Sequence, residues 1–212
     1  TQFLGGEFIP GRRQQRHLGG SMLCRVADSL YWIFRYIERA ENLVRFLEVG
    51  WSVSLDNPSG TPSQWTSLID ACADRRLFEE LHPSASPADV ITFITRQPEN
   101  PNAISNCIAI ARENARQIRD TLPTDLFEEL NALHLLLQDD PLFWHQRLPE
   151  QLQQIRRSCQ TLYGLQDSTM QRDQSWLFAN LGCLMERADK TARMLDVKYF
   201  LLLPSPEDVG GP

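Results

Sequence analysis

The sequence predicts an all-α fold: a bundle of about six to eight helices, with two long central helices related by an internal repeat. Three observations indicate this class. Apolar residues recur three or four positions apart over most of the chain, convincing strand-type alternation is absent, and Pro, Gly, Asn and Asp separate the periodic segments. With 212 residues, 42% of them hydrophobic, the chain is long enough to bury one large core or two small ones.

The chain divides into a short leading segment and one helical domain. Residues 1–21 contain two Gly-Gly pairs and a Pro-Gly, so they are predicted to be a flexible tail or linker ahead of a domain over residues 22–212. That domain opens with a long helix, because apolar residues recur at helical spacing from Leu23 to Leu47 without an intervening Pro or Gly. Turn-forming residues from Asp56 to Ser63 then predict a loop.

Each of the following helices is bounded by a proline or by a capping polar residue. The predicted spans are 65–81, a short helix from 87 to 97, 100–122, 124–138 and 148–164. In the third of these, Asn100 is predicted to cap the helix and Pro101 to occupy its first turn. Asp173 is predicted to cap a final long helix that ends at the proline-rich closing stretch.

Composition excludes several classes of protein. The net charge of -6 argues against a nucleic-acid-binding protein, which would carry an excess of basic residues. No segment approaches the roughly 18 consecutive apolar residues of a membrane span, and none resembles a secretory signal. The cytoplasm is the expected location. Five cysteines, odd in number and without a C-x-x-C pair, argue against a disulfide framework and a thiolate zinc site.

One charged pattern occurs twice, 148 positions apart, in YIERAENLVRFLEVG and LMERADKTARMLDVK. On a helical wheel of the first segment, Glu41 and Glu48 fall near the centre of the apolar face and Arg45 lies beside them. Spacings of three and four residues let these side chains meet, and buried ionised groups need such partners. In the second segment the equivalent positions hold Asp189, Arg193 and Asp196, and Arg193 is expected to be buried.

Two long helices with one pattern are expected to pair about an approximate two-fold axis, so that an acid of one meets an arginine of the other. A fainter echo, ARENAR, begins at Ala111. The residues predicted to form a structural ion-pair network or a ligand-binding site are Glu38, Arg39, Glu41, Asn42, Arg45, Arg112, Asn114, Glu186, Arg187, Asp189 and Arg193.

Two other interpretations of these residues stay open. Glu38, Glu41, Glu186 and Asp189 form an acid cluster that is also typical of a metal-dependent or acid–base enzyme in a helical bundle. The Glu-x-x-His element of di-iron sites is absent and arginines neighbour the acids, so no metal or other cofactor is assigned and the ion-pair network is preferred. The second interpretation is an arginine pocket for a carboxylate or phosphate ligand, lined by Arg39, Arg45, Arg187 and Arg193.

Three stretches resemble the alpha-E domain family of bacterial helical proteins, which is named for a Glu-Arg motif. They are MLCRVADSLYWIFRYIERAENLVRFLEV, NPNAISNCIAIARENARQIRD and DSTMQRDQSWLFANLGCLMERADKTARMLDVKYFLLLPSPEDVGGP. The resemblance covers residues 22–212, and it implies that the family's domain continues past the closing stretch, so that this chain is incomplete at its C-terminus.

The resemblance also implies partners. Such domains accompany circularly permuted ATP-grasp ligases and transglutaminase-like proteins, which suggests an accessory or substrate-binding module in the synthesis or processing of an amide-linked peptide. It supplies no catalytic residues. A pure interaction scaffold is the other non-catalytic alternative, and the sequence leaves the oligomeric state open, a homo-oligomer included.

Overall fold

The computed structural model describes residues 24–56, 63–72, 74–83, 86–139 and 147–202, which form eight α-helices. The helices are α1 (Cys24–Asp56), α2 (Ser63–Cys72), α3 (Arg75–Leu81), α4 (Pro87–Arg96), α5 (Ile104–Gln117), α6 (Thr124–Asp139), α7 (Leu148–Thr169) and α8 (Gln174–Leu202). A short 3-10 turn, Arg119–Thr121, lies between α5 and α6. The predicted all-α bundle is confirmed; the predicted tail over residues 1–21 and most of the loop after Asp56 lie outside the described residues.

The two long helices are α1 and α8, and they pack against each other more extensively than any other pair. α1 is central because it also packs on α5, α7 and α2. Its inward side chains Leu30, Ile33, Ile37 and Val44 are fully buried. Burying each of these side chains contributes about 1.5–3 kcal/mol, so the packing of α1 is a large part of the core.

α8 approaches α1 most closely at Gly182. A Cβ atom at this position would lie 2.1 Å from the backbone carbonyl oxygen of Tyr31, which no side chain can accommodate. Glycine is therefore required here to let the two helix backbones meet. This contact lies one helical turn from Glu186, so it also sets the distance across which the charged residues of the two helices interact.

Side-chain caps begin two of the helices, and the one at Asp173 confirms a prediction from the sequence. Ser86 and Asp89 form a reciprocal capping box at the start of α4. Asp173, predicted to cap the last helix, accepts hydrogen bonds from the backbone amides of Ser175 and Trp176. These caps satisfy amide groups that the first helical turn leaves without partners.

Several predicted boundaries are wrong. α7 continues past Gly164 to Thr169, and α5 ends at Gln117, ahead of the 3-10 turn. The single helix expected over residues 65–81 is two helices, interrupted at Asp74, whose carboxylate accepts a hydrogen bond from Asn102 at 3.0 Å. The third middle helix begins at Ile104 rather than at Asn100, because the Asn100 side chain is bound to the carbonyl of Phe93 and to the amide of Asn102. In these last two cases a polar side chain makes a tertiary contact instead of serving the helix.

Candidate functional site

The two Glu-Arg dipeptides of the repeated pattern exchange partners between α1 and α8. Arg39 donates Nε and Nη2 to the two carboxylate oxygens of Glu186, at 2.7 and 2.9 Å. Arg187 donates the same two nitrogens to the carboxylate of Glu38, both at 3.0 Å. We call these four residues the Glu-Arg clasp. The predicted meeting of an acid of one segment with an arginine of the other is confirmed, in the bidentate geometry that arginine favours; the internal repeat itself stays a prediction.

Glu186 has no exposed surface and is surrounded by cations. Besides Arg39, Arg35 donates Nε to its Oε2 at 2.8 Å, and the ammonium of Lys190 lies 4.0 Å from its Oε1. The guanidinium of Arg35 also lies over the ring of Trp32, 5.4 Å from the centroid. A cation–π contact of this kind stabilises the charge of a guanidinium group that is partly removed from water.

Glu38 is almost fully buried and is saturated with hydrogen-bond donors. Tyr163 of α7 donates its hydroxyl to Oε2 at 2.7 Å, the thiol of Cys183 lies 3.0 Å from the same oxygen, and the Asn42 amide donates to Oε1 at 3.3 Å. With Arg187, these contacts connect α1 to both α7 and α8. A buried carboxylate is tolerated only where its oxygens are paired in this way.

A chain of hydrogen bonds extends from the clasp to the break between α2 and α3. Arg39 Nη1 donates to the side-chain oxygen of Asn102 at 2.7 Å, and the Asn102 amide donates to Asp74. At the other end, Arg35 donates to the hydroxyl of Tyr31. The network therefore runs from Asp74 through Glu186 to Tyr31.

The clasp carboxylates are held in their ionised form. Burial by itself raises the pKa of Glu38 and of Glu186, but hydrogen bonds from arginine outweigh it and leave both pKa values below the ordinary range. Asp74 behaves oppositely: burial dominates, and its pKa is raised despite the bond from Asn102. Burial works against the charge of Arg39, yet the contact with Glu186 raises the pKa of this guanidinium above its ordinary value.

The outer residues of the repeated pattern do not cross between the helices. Arg45 is bound to Glu41 of its own helix at 2.7 Å and is 59% exposed, and Arg193 is bound to Asp189 at 3.0 Å and is 43% exposed. The expected burial of Arg193 is therefore wrong. Both arginines find an acid four residues away on the same helix, so neither needs a distant partner.

The remaining predicted residues lie at the edges of this arrangement. Glu48 is bound by Arg156 of α7 rather than by Arg45, at 3.1 Å. Arg112 donates to the side chain of Asn131 on α6, and Asn114 donates to the carbonyl of Ile110 on its own helix. Arg112 and Asn114 therefore bond to residues outside the clasp, and the ARENAR segment contributes to the α5–α6 side of the bundle.

Sequence reasoning missed several members of the network, namely Tyr31, Arg35, Asp74, Asn102, Tyr163, Cys183 and Lys190. A usable signal existed for the pairing of the clasp itself. Neither Arg39 nor Arg187 has an acid three or four residues away, although each lies in an apolar helix segment. An arginine in that position must take its acid from another element.

The described residues also include two cavities and several acidic side chains outside the clasp. In that part of the chain, no group of three or more His, Cys, Asp or Glu side chains is arranged to hold a metal ion. A groove of about 730 Å³ between α1 and α8 is lined by Ala27, Tyr31, Phe178 and Leu181 among others, and a smaller cavity of about 280 Å³ adjoins Asp74 and Leu77. None of the four arginines predicted to line an anion pocket borders these two cavities.

Fold and site together define a class: an all-helical domain whose two long helices are joined through two Glu-Arg dipeptides with buried carboxylates. Comparison with known families gives the same class a name. The chain belongs to the Alpha-E family, described as a predicted alpha-helical domain with a conserved ER motif, and the match covers residues 22–210. The chain contains Glu-Arg dipeptides at Glu38–Arg39 and Glu186–Arg187, the four residues of the Glu-Arg clasp.

No curated protein and no solved structure matches the chain. Across the described residues, no helix is both long enough and apolar enough to cross a membrane.

Proposed function

We propose that the chain is a non-catalytic module that binds a partner or substrate of an ATP-grasp amide-ligase system in the cytoplasm. In this proposal the Glu-Arg clasp organises the fold and fixes how α1 and α8 are presented to the partner. The partner class comes from the family resemblance, which associates such domains with circularly permuted ATP-grasp ligases and transglutaminase-like proteins.

The proposal that the chain is non-catalytic rests on one observation: the carboxylate oxygens of the clasp are fully occupied by hydrogen-bond donors. Both oxygens of Glu186 and of Glu38 accept hydrogen bonds from arginine, and the pKa of each carboxyl is lowered. A general acid or base working at neutral pH needs a carboxyl whose pKa is raised toward 7. The geometry therefore favours a structural network over the alternative of an acid–base or metal-dependent enzyme.

The experiment is a reconstitution with a circularly permuted ATP-grasp ligase from the same organism, the partner class that this proposal names. ATP-dependent amide formation is measured for the ligase alone, for the chain alone, and for the mixture, and binding is measured by calorimetry. We expect no activity from the chain alone, and tight binding or a substrate-dependent increase in rate from the mixture. Amide formation or hydrolysis by the chain alone would contradict the proposal, as would a ligase that neither binds nor responds to it.

A carboxylate or phosphate ligand at the exposed arginines is a second candidate. Arg45 and Arg187 are each more than half exposed, and each uses Nε and Nη2 on its own acid, so that Nη1 of both makes no hydrogen bond to a described residue. Titration with inorganic phosphate and with a dicarboxylate, followed by NMR shifts of the two guanidinium groups, tests it. An Arg187 guanidinium that shifts equally in wild type and in Arg45→Lys would count against a ligand site shared by the two arginines, because lysine loses the planar fork.

A further inference from the structure

α8 has a second apolar side that faces solvent. Its members recur at spacings of four and three residues, the pattern of a helix that packs along another helix. They are Leu177, Leu181, Leu184, Ala188, Ala192 and Leu195, all exposed. We call them the apolar strip of α8. The side of the helix that packs on the core is different and contains Ala179, Cys183, Glu186 and Lys190.

The strip contains no charged side chain and spans about 27 Å along the helix axis. Phe178 and Met185, also exposed, widen it on one flank. Near its N-terminal end it joins the groove between α1 and α8, where Tyr31 and Leu181 face the same space. Contiguous apolar surface of this extent on a folded chain marks a contact site rather than ordinary surface.

We propose that the apolar strip of α8 is the interface through which two copies of the chain pair, with their α8 helices antiparallel about a two-fold axis near Glu186. The sizes of the strip residues favour this arrangement. Leu184 then lies opposite Ala188 of the second copy, Leu181 lies opposite the Ala192 region, and Leu177 meets Leu195. Large side chains thus face small ones, as in a well-packed helical seam.

A parallel arrangement of the two helices fits poorly. Each leucine would meet the same leucine of the second copy, and Ala188 and Ala192 would face each other and leave a gap over about one helical turn. A closed pair about a two-fold axis also uses the strip completely on both copies.

The area is sufficient for a moderate interface. With the flanking residues and the adjoining wall of the groove, the strip offers on the order of 600 Å² per copy, hence about 1,200 Å² for the pair, the lower end of specific interfaces. We expect a dissociation constant in the micromolar range. The charged residues beside the strip are paired: Asp189 and Arg193 neutralise each other within α8, and Arg187, next to Ala188, is bound to Glu38 of α1.

The affinity of the two copies for each other should depend on salt concentration in a characteristic way. The net charge of -6 makes two copies repel each other at long range, whereas the strip itself is uncharged. Raising the ionic strength screens that repulsion and leaves the apolar contact intact. The dimer is therefore expected to become tighter with added salt, opposite to a partner held by charge.

The first test is sedimentation equilibrium of the full chain with a matched pair of variants. Leu181 in the strip is 46% exposed and Leu135 on α6 is 45% exposed, so Leu181→Glu and Leu135→Glu place the same charge at equally exposed leucines. We expect wild type and Leu135→Glu to dimerise alike, and Leu181→Glu to weaken dimerisation by at least about 30-fold with an unchanged circular dichroism spectrum. A wild-type monomer at all concentrations overturns the proposal, as does equal weakening by both variants.

The second test addresses the antiparallel register. Ala188→Leu should weaken the dimer, because two leucines then compete for one space, and Leu184→Ala should weaken it by leaving a gap. The double variant Leu184→Ala with Ala188→Leu restores a large residue opposite a small one, so it should regain most of the wild-type affinity. Additive weakening in the double variant would exclude this pairing.

Discussion

Arg39 of α1 holds Glu186 of α8 through both carboxylate oxygens, at 2.7 and 2.9 Å. The residues beside them, Glu38 and Arg187, form the converse pair between the same two helices. Buried ion pairs of this kind add little net stability over apolar replacements, but a wrong register leaves charges unpaired and costs several kcal/mol. We infer that the clasp selects one alignment of α1 with α8.

The first prediction concerns the stability of the fold at low pH. The pKa values of Glu38 and Glu186 are lowered in the folded state, so their contribution to stability is complete above the unfolded-state value of about 4.3 and is lost as the pH falls through the lower folded value. Chemical denaturation between pH 7 and pH 2.5 should show this loss. Glu38→Gln should be less stable at pH 7 and should lose less stability on acidification; an unchanged pH dependence in this variant would contradict the ionised state of Glu38.

Asp74 provides a control, because its contribution to stability should change with pH in the opposite direction. Burial raises its pKa in the folded state, so its contribution is fully present below the unfolded-state pKa and is lost as the pH rises through the folded value. Asp74→Asn keeps the shape and a hydrogen bond to Asn102, and it should gain stability relative to wild type between acid and neutral pH. A variant that loses relative stability over that range would mean that the charge of Asp74 is needed by Arg39 or Lys190.

The second prediction concerns the closest approach of the two long helices. Gly182→Ala places a methyl group against the backbone of Tyr31, which cannot move aside, and we expect a loss of at least about 2–3 kcal/mol. Gly164→Ala on α7 is the matched control, because a Cβ atom there meets nothing within 4 Å. That variant should gain up to about 1 kcal/mol from helix propensity. Similar effects of the two changes on urea unfolding would show that α8 is not held against Tyr31.

The third prediction separates the exposed ion pairs from the clasp. Arg193→Met removes a pair within one helix whose two side chains are both partly exposed, and it should cost at most about 0.5 kcal/mol. Arg45→Met should cost more, because it leaves the Glu41 carboxylate, which is only 5% exposed, without its arginine. Arg39→Met leaves Glu186 with fewer partners in a site without solvent and should cost about 2 kcal/mol or more. Thermal melts at pH 7 compare the three; a loss for Arg193→Met as large as that for Arg39→Met would restore the expectation that Arg193 is buried.

The sequence predicts the helices well because apolar spacing of three and four residues is a local signal, and Asp173 at the start of α8 is a local cap. It also predicts that the repeated segments meet. It does not identify which charged residues cross between them, because a helical wheel gives the direction of a side chain from its own axis but not the height at which the neighbouring helix packs. That height depends on Gly182 and Tyr31, whose approach is visible only in three dimensions.

The partners of the clasp are missed for a related reason. Tyr163 and Asn102 come from α7 and from the turn before α5, and nothing in their local sequence points to Glu38 or Arg39. Arg45 and Arg193, by contrast, attract attention because their acids are four residues away, and each arginine is bound to that local acid. A missing local acid, as at Arg39 and Arg187, is the better indicator of a pairing between helices.

The most direct test of the clasp is a double-mutant cycle on Arg39→Met and Glu186→Leu, measured as free energies of unfolding in urea, with Arg193→Met and Asp189→Leu as the control cycle. We expect Glu186→Leu alone to cost about 3–5 kcal/mol, and the double variant to be more stable than the sum of the single changes by about 2 kcal/mol, against at most about 0.5 kcal/mol in the control. Additive effects of Arg39→Met and Glu186→Leu, equal to those of the control pair, would contradict a buried clasp between α1 and α8.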